Sequence, residues 1–300
     1  MNAPTPDVSV VIATKDRANF LGRALESLAR QAPAPAFEVL VVDNGSSDGT
    51  PELVRERSAA APFALRLLSV PQPNRSAARN AGVRAALGAI VVFVDDDVYL
   101  PEGFLAAHAA AHAGVFPHAV SGPILNVPSY EYRPRPAWTN SSGAVLCTCN
   151  VSVPRTALVA AGGFDESFDL YGWEDTELGL RLRRRDVRRA FAWAAYLWHI
   201  KPPATETLEV VYEKTVERAQ MAARLLRKDA SVRTKLATGA YRLNFLRSAV
   251  LAPEWSFAFY RRLASAPGLP GAVRSIGRAQ LLDGTYRSVL RRALAASGPP

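Results

Sequence analysis

Four strand-like segments, the apolar run VSVVIAT (Val8–Thr14), then FEVLVVDN (Phe37–Asn44), LRLLSV (Leu65–Val70) and AIVVFVD (Ala89–Asp95), recur in the first hundred residues with helical patterns between them. No other feature constrains the fold as tightly. Strands without polar alternation must be buried on both faces, and intervening helices force successive strands to pair in parallel. The stretch Ala18–Gln31 sets Phe20, Leu21, Ala24, Leu25 and Leu28 on one helical face. GSSDGTPELVRER supplies turn residues and then a helix with Pro51 near its start. SAARNAGVRAAL reads as a third helix, with Ser76 as its N-cap. The expected class is therefore α/β, a mostly parallel sheet flanked by helices.

Sheets of this kind bind ligands at the carboxyl ends of their strands. Those ends read Thr14-Lys15-Asp16, Asp43-Asn44-Gly45-Ser46 and Asp95-Asp96-Asp97, so polar residues collect at one rim. The acid triplet ends a fully apolar run, with no Lys or Arg within several residues. Three adjacent carboxylates repel one another and lose solvation unless a cation offsets them, which points to a metal ion or a cationic ligand.

From about Ala119 the pattern becomes mixed. NVPSYEYRPRPAW (Asn126–Trp138) reads as a long loop, GAVLCTCNVSVP as a strand and TALVAAGGF as a short helix. GWEDTELGLRLRRR opens a helix with acids in its first turn and arginines in its last, matching the helix dipole. RRAFAWAAYLWHI returns as one strand ending at His199. After KPPAT the chain turns helical and basic. Residues 1–200 hold 19 Lys and Arg against 20 Asp and Glu, whereas residues 201–300 hold 17 against 7, so the formal net charge of +9 belongs to the last third. Two domains are expected, 1–204 and a basic, mainly helical extension over 205–300.

Hydrophobic residues at 49% and charged residues at 21% suit a globular chain. No stretch is long and apolar enough to span a bilayer, and the start MNAPTPDVSVVIAT lacks the basic region of a signal peptide. A cytoplasmic location is expected. Cys147 and Cys149 are too few for a disulfide framework or a zinc site, and read as small buried hydrophobes. His108 and His112 have the i, i+4 spacing of a helical metal pair but no third ligand beside them, which favours packing.

VSVVIATKDRANFLGRALESLARQ, EVLVVDNGSSDGT, RSAARNAGVRAALGAIVVFVDDD and GGFDESFDLYGWEDTELGLRL resemble, in order and spacing, the successive motifs of family 2 nucleotide-sugar glycosyltransferases. The resemblance covers roughly Val8 to His199. It implies a GT-A fold, with a Rossmann-like nucleotide-binding half, a mixed acceptor-side half and, here, a C-terminal helical extension. It also implies transfer of one sugar from a nucleoside-diphosphate sugar to an acceptor hydroxyl, with inversion.

By the same resemblance the acidic metal motif falls on Asp95 and Asp97 with Asp96 between them. Asp97 would bind Mg²⁺ or Mn²⁺ directly, Asp95 the ribose or the metal, and His199 would complete the shell. An ordinary strand-end histidine remains the alternative. A divalent ion held by carboxylates would offset both their charge and that of the diphosphate. The nucleotide side would comprise Thr14, Asp16, Arg17, Asp43, Arg79, Asp95 and Asp96, with Asp43 receiving the base; an exposed helix arginine is the plainer reading of Arg79. In Trp173-Glu174-Asp175, the aspartate would take the acceptor proton and Glu174 would orient it or contact the acceptor. Acidic capping of a helix start is the competing account. Trp173, Tyr171 and Trp138 could stack on a sugar, although packing explains aromatics equally well.

The Gln-x-x-Arg-Trp signature of processive synthases is absent, which favours a one-sugar transferase. The acceptor class, whether glycan, lipid-linked or small molecule, is open. A nucleotidyltransferase would place a glycine-rich, Arg-bearing loop after the first strand, and ATKDRANFLG is not one. A non-catalytic basic module would leave the acid triplet and Glu174-Asp175 unexplained. YRLNFLRSAVLAPEWSFAFYRRLASAP (Tyr241–Pro267) mixes Phe245, Leu246, Trp255, Phe257, Phe259 and Tyr260 with Arg242, Arg247, Arg261 and Arg262. That mixture suits peripheral contact with an anionic membrane. A homodimer interface is the alternative, and no nucleic-acid-binding motif is present.

Overall fold

The computed structural model describes residues 5–114, 117–141, 146–202 and 207–296. The chain divides into two compact units, Met1–Asp169 with Glu174–Pro203, and Leu170–Trp173 with Ala204–Pro300. The expected domain boundary at residue 204 lies outside the described residues.

In the first unit the strands are β1 (Val8–Thr14), β2 (Phe37–Asp43), β3 (Ala64–Ser69), β4 (Ile90–Val94), β5 (Val98–Tyr99), β6 (His118–Ser121), β7 (Ile124–Val127), β8 (Asn150–Pro154), β9 (Arg188–Phe191) and β10 (Leu197–Ile200). Its helices are α1 (Ala18–Ala29), α2 (Thr50–Ser58), α3 (Arg75–Ala85), α4 (Phe104–Ala110), α5 (Arg155–Ala160) and α6 (Glu174–Arg183). Seven strands form one sheet in the order β3-β2-β1-β4-β8-β6-β9. The first four are parallel; β8 runs antiparallel to both β4 and β6, and β9 pairs parallel with β6. A mostly parallel sheet between helices is what the apolar runs required. Period 2 sends Val10 and Ile12 of β1 into a core with Leu21, Leu25 and Leu28 of α1 and Val54 of α2. Val11 faces the other way, into a second core with Ala78 and Val83 of α3, Leu158 of α5 and Leu178 of α6. A Cβ on Gly82 would meet Val11 Cγ1 at 2.4 Å, so α3 lies flush on β1 only because glycine stands there.

A second sheet, β5-β10-β7, was not anticipated. RRAFAWAAYLWHI is not one strand: its two ends, β9 and β10, belong to different sheets, with a turn between them. The strand expected over GAVLCTCNVSVP begins only at Asn150. Its residues 143–145 lie outside the described chain, and Cys147–Cys149 lead into a turn. The cap of α3 is Asn74, whose side chain accepts from Ala77 N at 2.9 Å, while Ser76 is buried inside the first turn. An Asn cap contributes about 1 kcal/mol, and the extended backbone after Pro73 suits it.

The second unit contains α7 (Leu208–Lys228), α8 (Val232–Thr238), α9 (Arg242–Leu251), α10 (Phe257–Ser265) and α11 (Gly271–Ala295). Ala219, Ala222, Ala223 and Leu226 of α7 pack with Leu290 of α11, and Phe245 and Trp173 pack against that cluster. Gly284 of α11 lets Phe257 and Ala252 come close. Among the described residues no helix is long and apolar enough to cross a membrane.

Candidate active site

Parallel pairing aligns the strand ends. Thr14 stands in register with Asp43, and β4, on the other side of β1, delivers the acid triplet to the same rim. Asp96 and Asp97 are buried and Asp95 is half-buried. The triplet is not without cations: they arrive from distant parts of the chain. Arg17 Nη1 lies 2.8 Å from Asp97 Oδ2 and 3.4 Å from Asp96 Oδ1, and Lys201 Nζ lies 3.0 Å from Asp97 Oδ2. Thr14 Oγ1 donates to Asp96 Oδ2 at 2.7 Å. Burial pushes the Asp96 carboxyl up to about 7 against the pull of Arg17. Burial also acts upward on Asp97, but the hydrogen bond and charge of His199, with Lys201, hold it well below the usual carboxylate range.

The second sheet places His199. Antiparallel pairing of β10 with β5 sets His199 opposite Val98, next to Asp97, and parallel pairing with β7 sets it opposite Asn126. Its Nε2 lies 3.0 Å from Asp97 Oδ1 and its Nδ1 lies 2.9 Å from Asn126 Oδ1. An imidazole nitrogen and a carboxylate oxygen at that separation share a proton or a cation. Asn126 fixes the orientation of the imidazole, as outer partners do for ligating histidines. Asp95, Cys149 and His199 also each bring a ligand atom within 4.8 Å of the other two. Carboxylate oxygens with an imidazole nitrogen are donors suited to Mg²⁺ or Mn²⁺, so the residues present fit a divalent ion.

A second carboxylate site forms at the start of α6. Thr148 N and Oγ1 both donate to Asp175 Oδ2 at 2.9 Å. Arg79 Nη1 lies 2.9 Å from Glu174 Oε1 and 3.7 Å from Asp175 Oδ1. Arg79 is therefore no exposed helix arginine; the acids, with burial, decide its setting, and its charged form is strengthened. Burial pushes the Asp175 carboxyl up to about 6, opposed by Arg79 and assisted by the charge of Glu174. Glu174 Oε2 is buried and has no hydrogen-bond partner. An orphan carboxylate oxygen of this kind can receive a ligand hydroxyl.

The remaining candidates are engaged in other ways. Asp43 Oδ1 accepts from Ser46 N at 3.0 Å, closing a turn in which Gly45 takes a φ of +81° that a side chain would strain. Asp16, with a φ of 52°, accepts from Ser47 N at 2.6 Å and bridges the β1 and β2 loops. Trp173, at φ 75°, donates its indole N–H to Arg218 O at 2.9 Å, and the Arg218 guanidinium faces its ring. The Lys214 ammonium stands 5.6 Å from the Tyr171 ring. Trp138 is 81% exposed. His108 and His112 both bond Ser152 of β8 at 2.8 Å, and burial lowers each to about 4, so they act as neutral packing groups.

Sequence reasoning missed Lys201, Thr148, Cys149 and Asn126. Lys201 had a legible signal: it follows His199 by two residues and so shares its strand face. The other three depend on long-range pairing.

Residues 9–150 match the family described as glycosyl transferase family 2. Validoxylamine A glucosyltransferase of Streptomyces hygroscopicus subsp. limoneus is 31% identical over 247 residues, covering 68% of this chain and 53% of that protein. Glycosyltransferase AglE of Haloferax volcanii is 40% identical over 98 residues, 32% of each chain. The chain spans about half the length of the validoxylamine A glucosyltransferases it matches (53% and 57%). The mannosyltransferase PcManGT from Pyrobaculum calidifontis, solved with GDP-Man and Mn²⁺, superposes with a TM-score of 0.66 at 23% identity, covering 98% of this chain and 88% of that one. S. aureus TarS with UDP-GlcNAc gives 0.54 at 20% identity, covering 97% and 92%. Motif order, the rim carboxylates and these matches agree: the chain belongs to glycosyl transferase family 2 and has the GT-A fold.

Proposed function

We propose that this protein transfers one sugar from a nucleoside-diphosphate sugar to an acceptor hydroxyl, with inversion at the anomeric carbon. The observation that supports the reading is the pair of carboxylate sites on one unit: Asp95 and His199 with ligand atoms close together and Asp97 3.0 Å from His199, and a separate carboxyl, Asp175, raised to about 6. A raised carboxyl accepts a proton near neutral pH, which is what a general base must do. The solved neighbours bound to GDP-Man with Mn²⁺ and to UDP-GlcNAc support the donor class.

In this reading the catalytic domain is 1–204 and the basic extension 205–300. Thr14, Asp16, Arg17, Asp43, Arg79, Asp95 and Asp96 line the nucleotide side. Asp97, Asp95 and His199 hold Mg²⁺ or Mn²⁺, which when bound offsets charge on the departing diphosphate. Arg17 and Lys201, already on Asp97, add positive charge beside the phosphates. Thr148 fixes the Asp175 carboxyl, which takes the acceptor proton, while Glu174 Oε2 receives an acceptor hydroxyl. Trp138, Tyr171 and Trp173 are the aromatic candidates for the acceptor.

Incubation with a panel of nucleoside-diphosphate sugars and Mn²⁺ is expected to release nucleoside diphosphate from one of them. The anomeric configuration of the product, read by NMR, should be inverted. A retained configuration would overturn the general-base reading, and no turnover of any donor with any acceptor class would overturn the activity.

We further propose that the basic unit meets an anionic membrane surface from the cytoplasmic side. Trp255 is 85% exposed, and Leu246 and Phe259 are also exposed, whereas Phe245, Phe257 and Tyr260 are partly buried. Co-sedimentation with anionic vesicles should weaken as salt rises. Loss of each of Arg242 and Arg262 should weaken it by about 1 kcal/mol, roughly fivefold. A chain that ignores the vesicles and runs as a dimer would favour the self-association reading.

A further inference from the structure

Cys149 is a buried member of the apolar core, as its sequence setting suggests, but core packing is not its only contact. It is only 7% exposed, yet its sulfur lies within 4.8 Å of ligand atoms of Asp95 and His199. Its position is fixed from the next residue. The Asn150 amide donates to Pro123 O at 3.1 Å and Ala195 O at 2.8 Å, and its Oδ1 lies 2.9 Å from His108 Nε2. The sulfur therefore cannot drift from the cluster without breaking a buried network. Cys147, two residues earlier, feels the charges of Asp175 and Arg79.

We propose that Cys149 is a metal ligand, its thiolate joining Asp95 and His199, so that this site selects a borderline or soft divalent ion over Mg²⁺. The inference rests on the metal-assisted reading above and adds a ligand to it. Sulfur with imidazole and carboxylate suits Co²⁺, Zn²⁺ or Cd²⁺, whereas the hard ions Mg²⁺ and Mn²⁺ bind best to oxygen-rich donor sets. On binding, the S–H bond gives way to a sulfur–metal bond, and the proton leaves to solvent. Thiolate charge would add to that of Asp95 and Asp97 against the ion.

The test is titration of the full chain with Co²⁺ alone, and again with a nucleoside diphosphate. Wild type should develop a near-ultraviolet thiolate-to-cobalt charge-transfer absorption. Cys149→Ser should lose it, and Cys147→Ser should keep it. Cys149→Ser should also weaken Cd²⁺ binding by roughly 10–100-fold or more, the scale for losing even an outer-shell partner. Mg²⁺ affinity should change far less. Cys149→Ala, checked for an unchanged melting temperature, guards against a packing artefact. Cobalt binding without the absorption, or a band that survives in Cys149→Ser, overturns the proposal. Donor turnover with Mg²⁺ in that same protein would leave the glycosyltransferase reading standing. A chain that binds none of these ions overturns both this proposal and the metal assignment.

Discussion

Asp97→Ala is expected to abolish sugar transfer and the metal-dependent stabilisation of the protein by a nucleoside diphosphate. Asp97 is the point on which the rim's charges converge, with Arg17 at 2.8 Å, Lys201 at 3.0 Å and His199 Nε2 at 3.0 Å. Removing it leaves three groups without their common anion and takes an oxygen donor from the proposed ion. Metal stabilisation of developing phosphate charge is worth several kcal/mol, so the rate should fall by about 10³-fold or more. The measurement is transfer rate together with the shift in melting temperature produced by nucleoside diphosphate plus Mn²⁺. Wild type should show a shift that chelator removes, and Asp97→Ala should show none. Arg17 and Lys201 remain in the variant and can still attract a diphosphate, so a small metal-independent shift is compatible with the assignment. Full activity of wild type in chelator would sink it.

The nucleotide-side half of the fold was legible because burial on both faces leaves an unmistakable pattern. Val10 and Ile12 must face one core and Val11 the other, so β1 is apolar from Val10 to Ala13, and its one earlier polar residue, Ser9, is satisfied by Glu38 at 2.7 Å. Rim residues followed directly, since a parallel sheet delivers all its strand ends to one edge. Legibility failed where placement depends on pairing across long separations. His199 meets Asp97 only because β10 pairs with the two-residue strand β5, and Asn126 joins them only through β7. A two-residue strand has no periodicity to read. The turn that splits Arg188–Ile200 was hidden by continuous hydrophobicity, although β9 and β10 serve different sheets. Ser76 is the cap of α3 that the sequence predicts, but the extended backbone falls at Asn74, an equally good capping residue by type, and α3 begins at Arg75, one residue ahead of Ser76. The sequence predicts a strand over Cys147–Cys149; the turn found there instead lets Thr148 bond Asp175 and sets the buried Cys149 sulfur near Asp95 and His199.

Asp175→Asn is expected to leave donor binding intact while slowing transfer by roughly 10²–10⁴-fold, the usual scale for losing a general base. Asparagine keeps the volume and can still accept from Thr148, so the start of α6 should hold its place. Burial raises the Asp175 carboxyl from 3.8 to about 6. Because the base works ionised, wild-type turnover should be full above that value and fall about tenfold per pH unit below it. The sign for stability is opposite. A carboxyl raised by folding favours the protonated native state, so its contribution is complete below 3.8 and lost as pH passes about 6. At pH 7 the asparagine variant therefore removes a charge that burial disfavours, and loss of rate cannot be ascribed to that charge having stabilised the fold. Rate, donor affinity and melting temperature measured together separate the accounts. A variant that loses donor affinity and rate in equal measure would assign Asp175 to structure. One that retains the acid limb would place the titrating base elsewhere. Loss of the limb with donor affinity unchanged is the result that only a proton-accepting Asp175 explains.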